Sequence, residues 1–229
     1  MNNTSRWLYL PRQVLKMMMG NRDDREIGRI TILKSIGIWF LTLAGLFLYL
    51  SWFRLALLDD VFINLVYCRN LIEHGLWGFF PEPVTNSVTS PLNFLILSLF
   101  GFIIPDLTWA VIASTTVLLG LLLFTLSEIS FQVFKNRFFA LICFSAILVN
   151  PLIMSTVGLE MILLIFLLSG VIYCLLIKQN IYLISILSGL MLITRMDSIV
   201  FLIPIVLFIQ GLKNRICFLS LSLTIAAPW

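Results

Sequence analysis

LTWAVIASTTVLLGLLLFTLS, residues 107–127, contains no charged side chain. At about 1.5 Å per residue such a helix runs about 30 Å, the thickness of a bilayer's hydrocarbon core. The run therefore reads as a membrane-crossing helix, and it has company. Residues 36–58, 138–155, 159–177, 181–193, 198–212 and 216–229 are further candidate spans. Several are short, and 181–193 reaches only about 20 Å. Short spans are tolerated where the joining backbone dips into a protein-lined, water-filled cavity. Composition agrees with this reading. The chain has 229 residues, 60% hydrophobic and 11% charged, with a mean hydropathy of +1.06. Soluble domains run at about 45–50% apolar and about 25% charged. An ordinary soluble domain, a disordered chain and a basic nucleic-acid binder are excluded. The expected fold class is all-α, a polytopic transmembrane helical bundle.

Charge placement gives the expected sidedness. Residues 1–35 hold seven Lys/Arg against three acids, so the formal charge of +4 lies entirely there. This segment reads as a cytoplasmic basic tail near anionic lipid, followed by a transmembrane domain over 36–229. The run 35–58 is too long for a signal-peptide core and no cleavage site follows it, so it is an uncleaved first span. The run 91–104 decides the rest. If it lies along the outer interface without crossing, Lys135, Arg137, Lys178, Lys213 and Arg215 fall in cytoplasmic loops, as positive charges should. Asp59, Asp60, Glu73, Glu82, Asp106, Glu160, Arg195 and Asp197 then share the outer side. Polar groups at a membrane mouth are candidates for function. Cys68, Cys143, Cys174 and Cys217 are scattered without a CxxC pair, so neither a disulfide framework nor a zinc site is expected.

The outer loop begins with Asp59-Asp60 directly after the first span. Val61–His74 is amphipathic, with Phe62, Leu65, Val66 and Ile72 at helical spacing, and Gly75 stops it. Gly78, Pro81, Pro83 and a polar run then return the chain to the membrane at Pro91. Asp60 read blandly caps this juxtamembrane helix; read functionally, the pair accepts a proton or holds a cation.

The segment LLDDVFINLVYCRNLIEHGLWGFFPEPVTNSVTSPLNFLIL (57–97) resembles the first outer loop of GT-C-fold membrane glycosyltransferases, in the terminal arabinofuranosyltransferase-like branch. Asp59, Asp60, Ile63, Arg69, Asn70, Leu71, Gly75, Thr89, Ser90, Pro91 and Leu92 match that pattern in order. Asn93 stands where the family has Trp. STVGLEMIL (155–163) is similar to the family's G-x-E at the top of a later helix. LITRMDSIV (192–200) is similar to its TRPDG segment, with Met196 in place of Pro. The resemblance covers the N-terminal half to third of the family's usual length, which implies a chain truncated at its C-terminus, or an inactive relative.

The resemblance implies transfer of a sugar from a polyprenyl-phosphate donor to a glycan or lipid acceptor outside the cytoplasm, with inversion at the anomeric carbon. The setting would be a bacterial cytoplasmic membrane. An alcohol is a poor nucleophile, so a carboxylate must take its proton; Asp59 or Asp60 is the expected catalytic base. One of the two is alternatively a ligand for a divalent cation. Substrate contacts are expected from Arg69, Glu160, Arg195 and Asp197, with Arg195 facing the growing charge of the leaving phosphate. The bland alternatives are an Arg195–Asp197 ion pair at a helix junction and a solvated Glu160 at a helix start. Arg54 is expected to snorkel, His74 to end a surface helix, and Trp52, Trp77 and Trp109 to anchor at the interface. No phosphate-cradling glycine loop or H-E-x-x-H signature is present. A non-catalytic transporter or assembly subunit would use the same acids as an ion or partner site.

Overall fold

A computed structural model describes residues 22–79, 88–178 and 180–228 of the chain, with side chains from Ile36 onward except Lys178. Residues 1–21 of the basic tail and loop residues 80–87, Glu82 among them, lie outside the described residues. The described residues form helices and no strand. They divide into two units, one ending at Gly45 and the other beginning at Leu46. The first contains the greater part of α1 (Arg22–Ser51). Everything below concerns the second.

In that unit the chain leaves α1 at Ser51 and passes through turns at 52–55. It then forms α2 (Asp59–His74), α3 (Pro91–Ile103), α4 (Leu107–Phe134), α5 (Phe138–Val149), the single turn α6 (Pro151–Met154) and α7 (Met161–Tyr173). A π turn (Cys174–Lys178) ends α7. After α8 (Ile181–Thr194) come a 3-10 turn (Met196–Ser198), α9 (Ile199–Phe208) and α10 (Leu212–Ala226). Helix α4 packs against α3, α5 and α7; α8 packs against α7, α10 and α3; and α2 lies on α3.

The ends of these helices follow from local chemistry. Gly75 takes a left-handed φ of 65°, and its N–H together with that of Leu76 closes α2 onto the carbonyls of Leu71 and Asn70. Pro91 opens α3 at a position where no N–H is needed. Asp106 caps α4 by accepting from the backbone N–H groups of Thr108 and Trp109. Asn150 and Pro151 stop α5 and start α6, so the expected span 138–155 is broken near its end. The expected span 36–58 is also cut short: the helix stops at Ser51 although residues 52–58 are apolar apart from Arg54. By length and apolarity, α4 alone among the described helices is sufficient to cross a membrane; α3, α5, α7, α8 and α9 are shorter apolar helices.

The buried core is mostly apolar, with serines, threonines and asparagines interspersed, and the exterior is apolar as well. Buried polar residues are serines, threonines and asparagines, and no charged residue is buried among the described ones. Large apolar side chains such as Phe102, Ile103, Val149, Leu207 and Phe208 stand exposed on the helices. Small residues bring α8 and α10 together. A Cβ added at Gly189 would lie 2.7 Å from Cβ of Ile225, and the Ser222 hydroxyl donates to the Ser185 carbonyl at 3.1 Å.

Candidate functional site

The connections at one end of α4, α7 and α8 gather most of the candidate residues. Asp59 and Asp60 occupy the first turn of α2, where a helix N-terminus favours negative charge. Leu58 stands at the cap position and no side chain caps this end by a hydrogen bond, so the capping role considered for Asp60 is not the one it has. Both carboxylates are exposed.

Asp60 lines a cavity of about 230 Å³ with Ile63 and Asn64 from the next turn of α2, Thr89 from the approach to α3, and Leu159 and Glu160 from the approach to α7. Asp59, one residue or about 100° around the helix, does not line it. Of the twin aspartates, Asp60 is therefore the one placed opposite Glu160.

Glu160 is held in place through Arg195. Its side chain, 12% exposed, accepts from Nη1 of Arg195 at 3.0 Å. Arg195 is in turn gripped by Asp197, which accepts from Nε at 3.0 Å and Nη2 at 2.9 Å. This fork-to-fork geometry is the stronger kind of ion pair. The hydrogen bond to Asp197 leads in pushing the Arg195 guanidinium above its ordinary value, and the same bond holds the Asp197 carboxyl below the usual range. Glu160 and Arg195 lie 35 residues apart in sequence. The ion pair at a helix junction and the contact to Glu160 thus exist together, through different nitrogens of one guanidinium.

The loop bearing Glu160 is fixed by its backbone. Gly158 has φ +88, and a Cβ there would meet Val111 at 2.8 Å and Val61 at 2.9 Å. The Asn93 amide, 3% exposed, donates to the Gly158 carbonyl at 3.0 Å. Neither Gly158 nor Asn93 was expected to build the site, nor was Asn64. The signal for Asn93 was available: a lone amide inside an apolar run needs a partner once buried.

Arg69 is not brought to the Asp60 cavity. It lies nine residues after Asp60, which is about half a turn around an α-helix, so the two face opposite ways. Arg69 lines a separate groove of about 360 Å³ with Phe62, Leu65, Val66 and residues 105–108. It is exposed, 4.0 Å from Glu73 on its own helix. Arg54 pairs with Asp106, donates through Nε to the Thr108 hydroxyl at 2.8 Å, and lies 4.4 Å over the Trp109 ring. His74 ends α2 exposed, 3.9 Å from Glu73. The four cysteines are free, and burial pushes the Cys68 thiol up to about 11.

The described residues gather no group of three or more His, Cys, Asp or Glu side chains suited to a metal ion. Among the described residues, Asp60 and Glu160 are the carboxylates on the cavity, and Glu160 is paired with Arg195. No family model matches the chain, and comparison with curated proteins and with solved structures finds no match.

Proposed function

We propose that the chain is a multi-pass membrane glycosyltransferase of the GT-C type, taking a sugar from a polyprenyl-phosphate donor and passing it to an extracytoplasmic glycan or lipid acceptor. The observation that carries this reading is the shared cavity of Asp60 and Glu160, with Glu160 tied to Arg195. Three segments that separately resemble the family's motifs meet there. Membrane residence is supported by the many large apolar side chains exposed on the helices and by small-residue contacts such as that at Gly189, as found between helices in lipid. Sidedness is supported by the separation of charge. Asp59, Asp60, Asp106, Glu160 and Asp197 belong to the site end, while Lys135 and Arg137 lie at the far end of α4 and Lys213 and Arg215 at the start of α10. This orientation puts the N-terminus in the cytoplasm and the cavity outside the bacterial inner membrane.

In the reaction, the acceptor hydroxyl oxygen attacks the anomeric carbon while Asp60 takes its proton. The bond between that carbon and the donor phosphate oxygen breaks, and its electron pair leaves with polyprenyl phosphate. Attack opposite the leaving group inverts the anomeric centre. Glu160 grips substrate hydroxyls. Arg195 holds Glu160, and the N–H left on each Nη faces the growing phosphate charge. A general base contributes about 10²–10⁴-fold. With membranes carrying the full chain and a radiolabelled polyprenyl-phosphate sugar donor, Asp60→Asn is expected to lower transfer by at least about 100-fold. Asp59→Asn and Arg69→Ala are expected to cost far less. Undiminished transfer by Asp60→Asn overturns the reading.

A further inference from the structure

Each asparagine among the described residues has a hydrogen-bond partner except one. Asn70 donates to the carbonyls of Gly78 and Phe79, Asn93 to Gly158 and Asn214 to Gln210. Asn136, Asn150 and Asn180 accept from backbone N–H groups at helix starts. Asn64 is 6% exposed, lines the Asp60–Glu160 cavity, and makes no hydrogen bond among the described residues. The residue is largely buried, but its amide opens onto the cavity, where a ligand hydroxyl can take the place of water.

We infer that Asn64 is a sugar-hydroxyl-binding residue and that the Asp60–Asn64–Glu160 cavity is the acceptor subsite, taking one neutral sugar ring. This deepens the glycosyltransferase reading and rests on it. The wall chemistry selects the ligand. Two carboxylates accept hydrogen bonds, the Asn64 amide both donates and accepts, and the Thr89 hydroxyl does the same. Ile63 and Leu159 supply apolar wall for the C–H face of a ring. Among the described residues no Lys or Arg lines this cavity, so a phosphate there would meet two carboxylates without a countercharge from them. The donor's phosphate end is thereby assigned elsewhere and the neutral acceptor here. The volume of about 230 Å³ lies below the ~300 Å³ at which pockets for drug-sized ligands begin. It suits a single ring rather than an oligosaccharide. Specificity follows from the same amide, because a site built to pair a hydroxyl rejects analogues that leave its polar groups unpaired.

The test uses the full chain in detergent and saturation-transfer NMR with methyl glycosides of arabinofuranose, mannose, galactose and glucose, and with undecaprenyl phosphate as a second ligand. The wild type is expected to give ring-proton signals from at least one glycoside. Asn64→Leu, similar in size but without hydrogen-bonding groups, is expected to lower those signals about fivefold and to leave the undecaprenyl phosphate signal unchanged. Thr89→Val, at an exposed position, is expected to weaken the same glycoside signals and serves if Asn64→Leu does not fold. In transfer assays Asn64→Leu is expected to raise the acceptor KM about tenfold with the donor KM unchanged. Glycoside signals unchanged in the variants, absent from every glycoside, or competed away by undecaprenyl phosphate overturn the assignment. If Asp60→Asn abolishes transfer while Asn64→Leu leaves the acceptor KM unmoved, the subsite fails and the reaction stands. If Asp60→Asn transfers normally, the reaction itself fails.

Discussion

Asp106 does two jobs with one carboxylate. It caps α4 through the N–H groups of Thr108 and Trp109, and it pairs with Arg54, which stacks on Trp109. The Thr108 hydroxyl leads in holding the Asp106 carboxyl below its ordinary value. A carboxyl lowered in the folded state contributes stability above its unfolded pKa of about 3.9 and loses it as pH falls through the lower folded value. Stability is therefore expected to be insensitive to this group between pH 5 and 8. Asp106→Ala is expected to cost about 1 kcal/mol through the lost cap, read as a lower thermal midpoint in detergent. The same sign applies to Asp197, also lowered, by the hydrogen bond from Arg195. Asp197→Asn is expected to reduce transfer by loosening Arg195 and Glu160, while the pH profile between 5 and 8 keeps its shape. A profile that moves with Asp197→Asn assigns the titrating group differently. At this scale the sequence was partly legible. The nine-residue step from Asp60 to Arg69 already set them on opposite faces, whereas the Glu160–Arg195 pair spans 35 residues, and no spacing rule connects the two.

At the scale of elements, helix identities were readable because long apolar runs, Gly75, Pro91, Asp106 and Asn150-Pro151 carry their own start and stop chemistry. The end of α1 was not readable. Its residues stay apolar past Ser51, and the turn there brings Arg54 to Asp106, a tertiary cause invisible to composition. Gly158 tests how the elements are joined. Its φ of +88 and the 2.8 Å approach to Val111 leave no room for a methyl group. Gly158→Ala is expected to destabilise the chain by at least about 1 kcal/mol and to lower transfer by displacing Glu160. Wild-type transfer with an unchanged thermal midpoint overturns this account. At the α8–α10 contact, Gly189→Leu is expected to drive the helices apart. The measurement is cross-linking between Ser185→Cys and Ser222→Cys in a background without native cysteines, which should fall sharply when Gly189→Leu is added.

For the whole molecule, the positive-charge argument predicts a sided arrangement, and accessibility tests it. With the four native cysteines replaced, Thr89→Cys in intact cells is expected to react with a membrane-impermeant maleimide. Asn136→Cys, between α4 and α5, is expected to react after permeabilisation only. Labelling of position 136 from outside reverses the orientation and removes the cavity from the side where the proposed acceptor resides. The all-helical character was legible because long apolar runs broken by glycine, proline and asparagine leave their trace in the sequence. The identity of the surfaces that touch was not, because serine, glycine and asparagine contacts depend on helix rotation.

Val61 is fully buried and presses on the Gly158 backbone, one residue after Asp60 and two before Glu160. The approach of the two segments that carry Asp60 and Glu160 is therefore gauged by main-chain thickness, a dimension that no side-chain exchange at Gly158 can shrink. If the proposed reaction holds, refitting the cavity to a bulkier or smaller ligand has to proceed by trimming its walls at Ile63, Asn64 and Leu159.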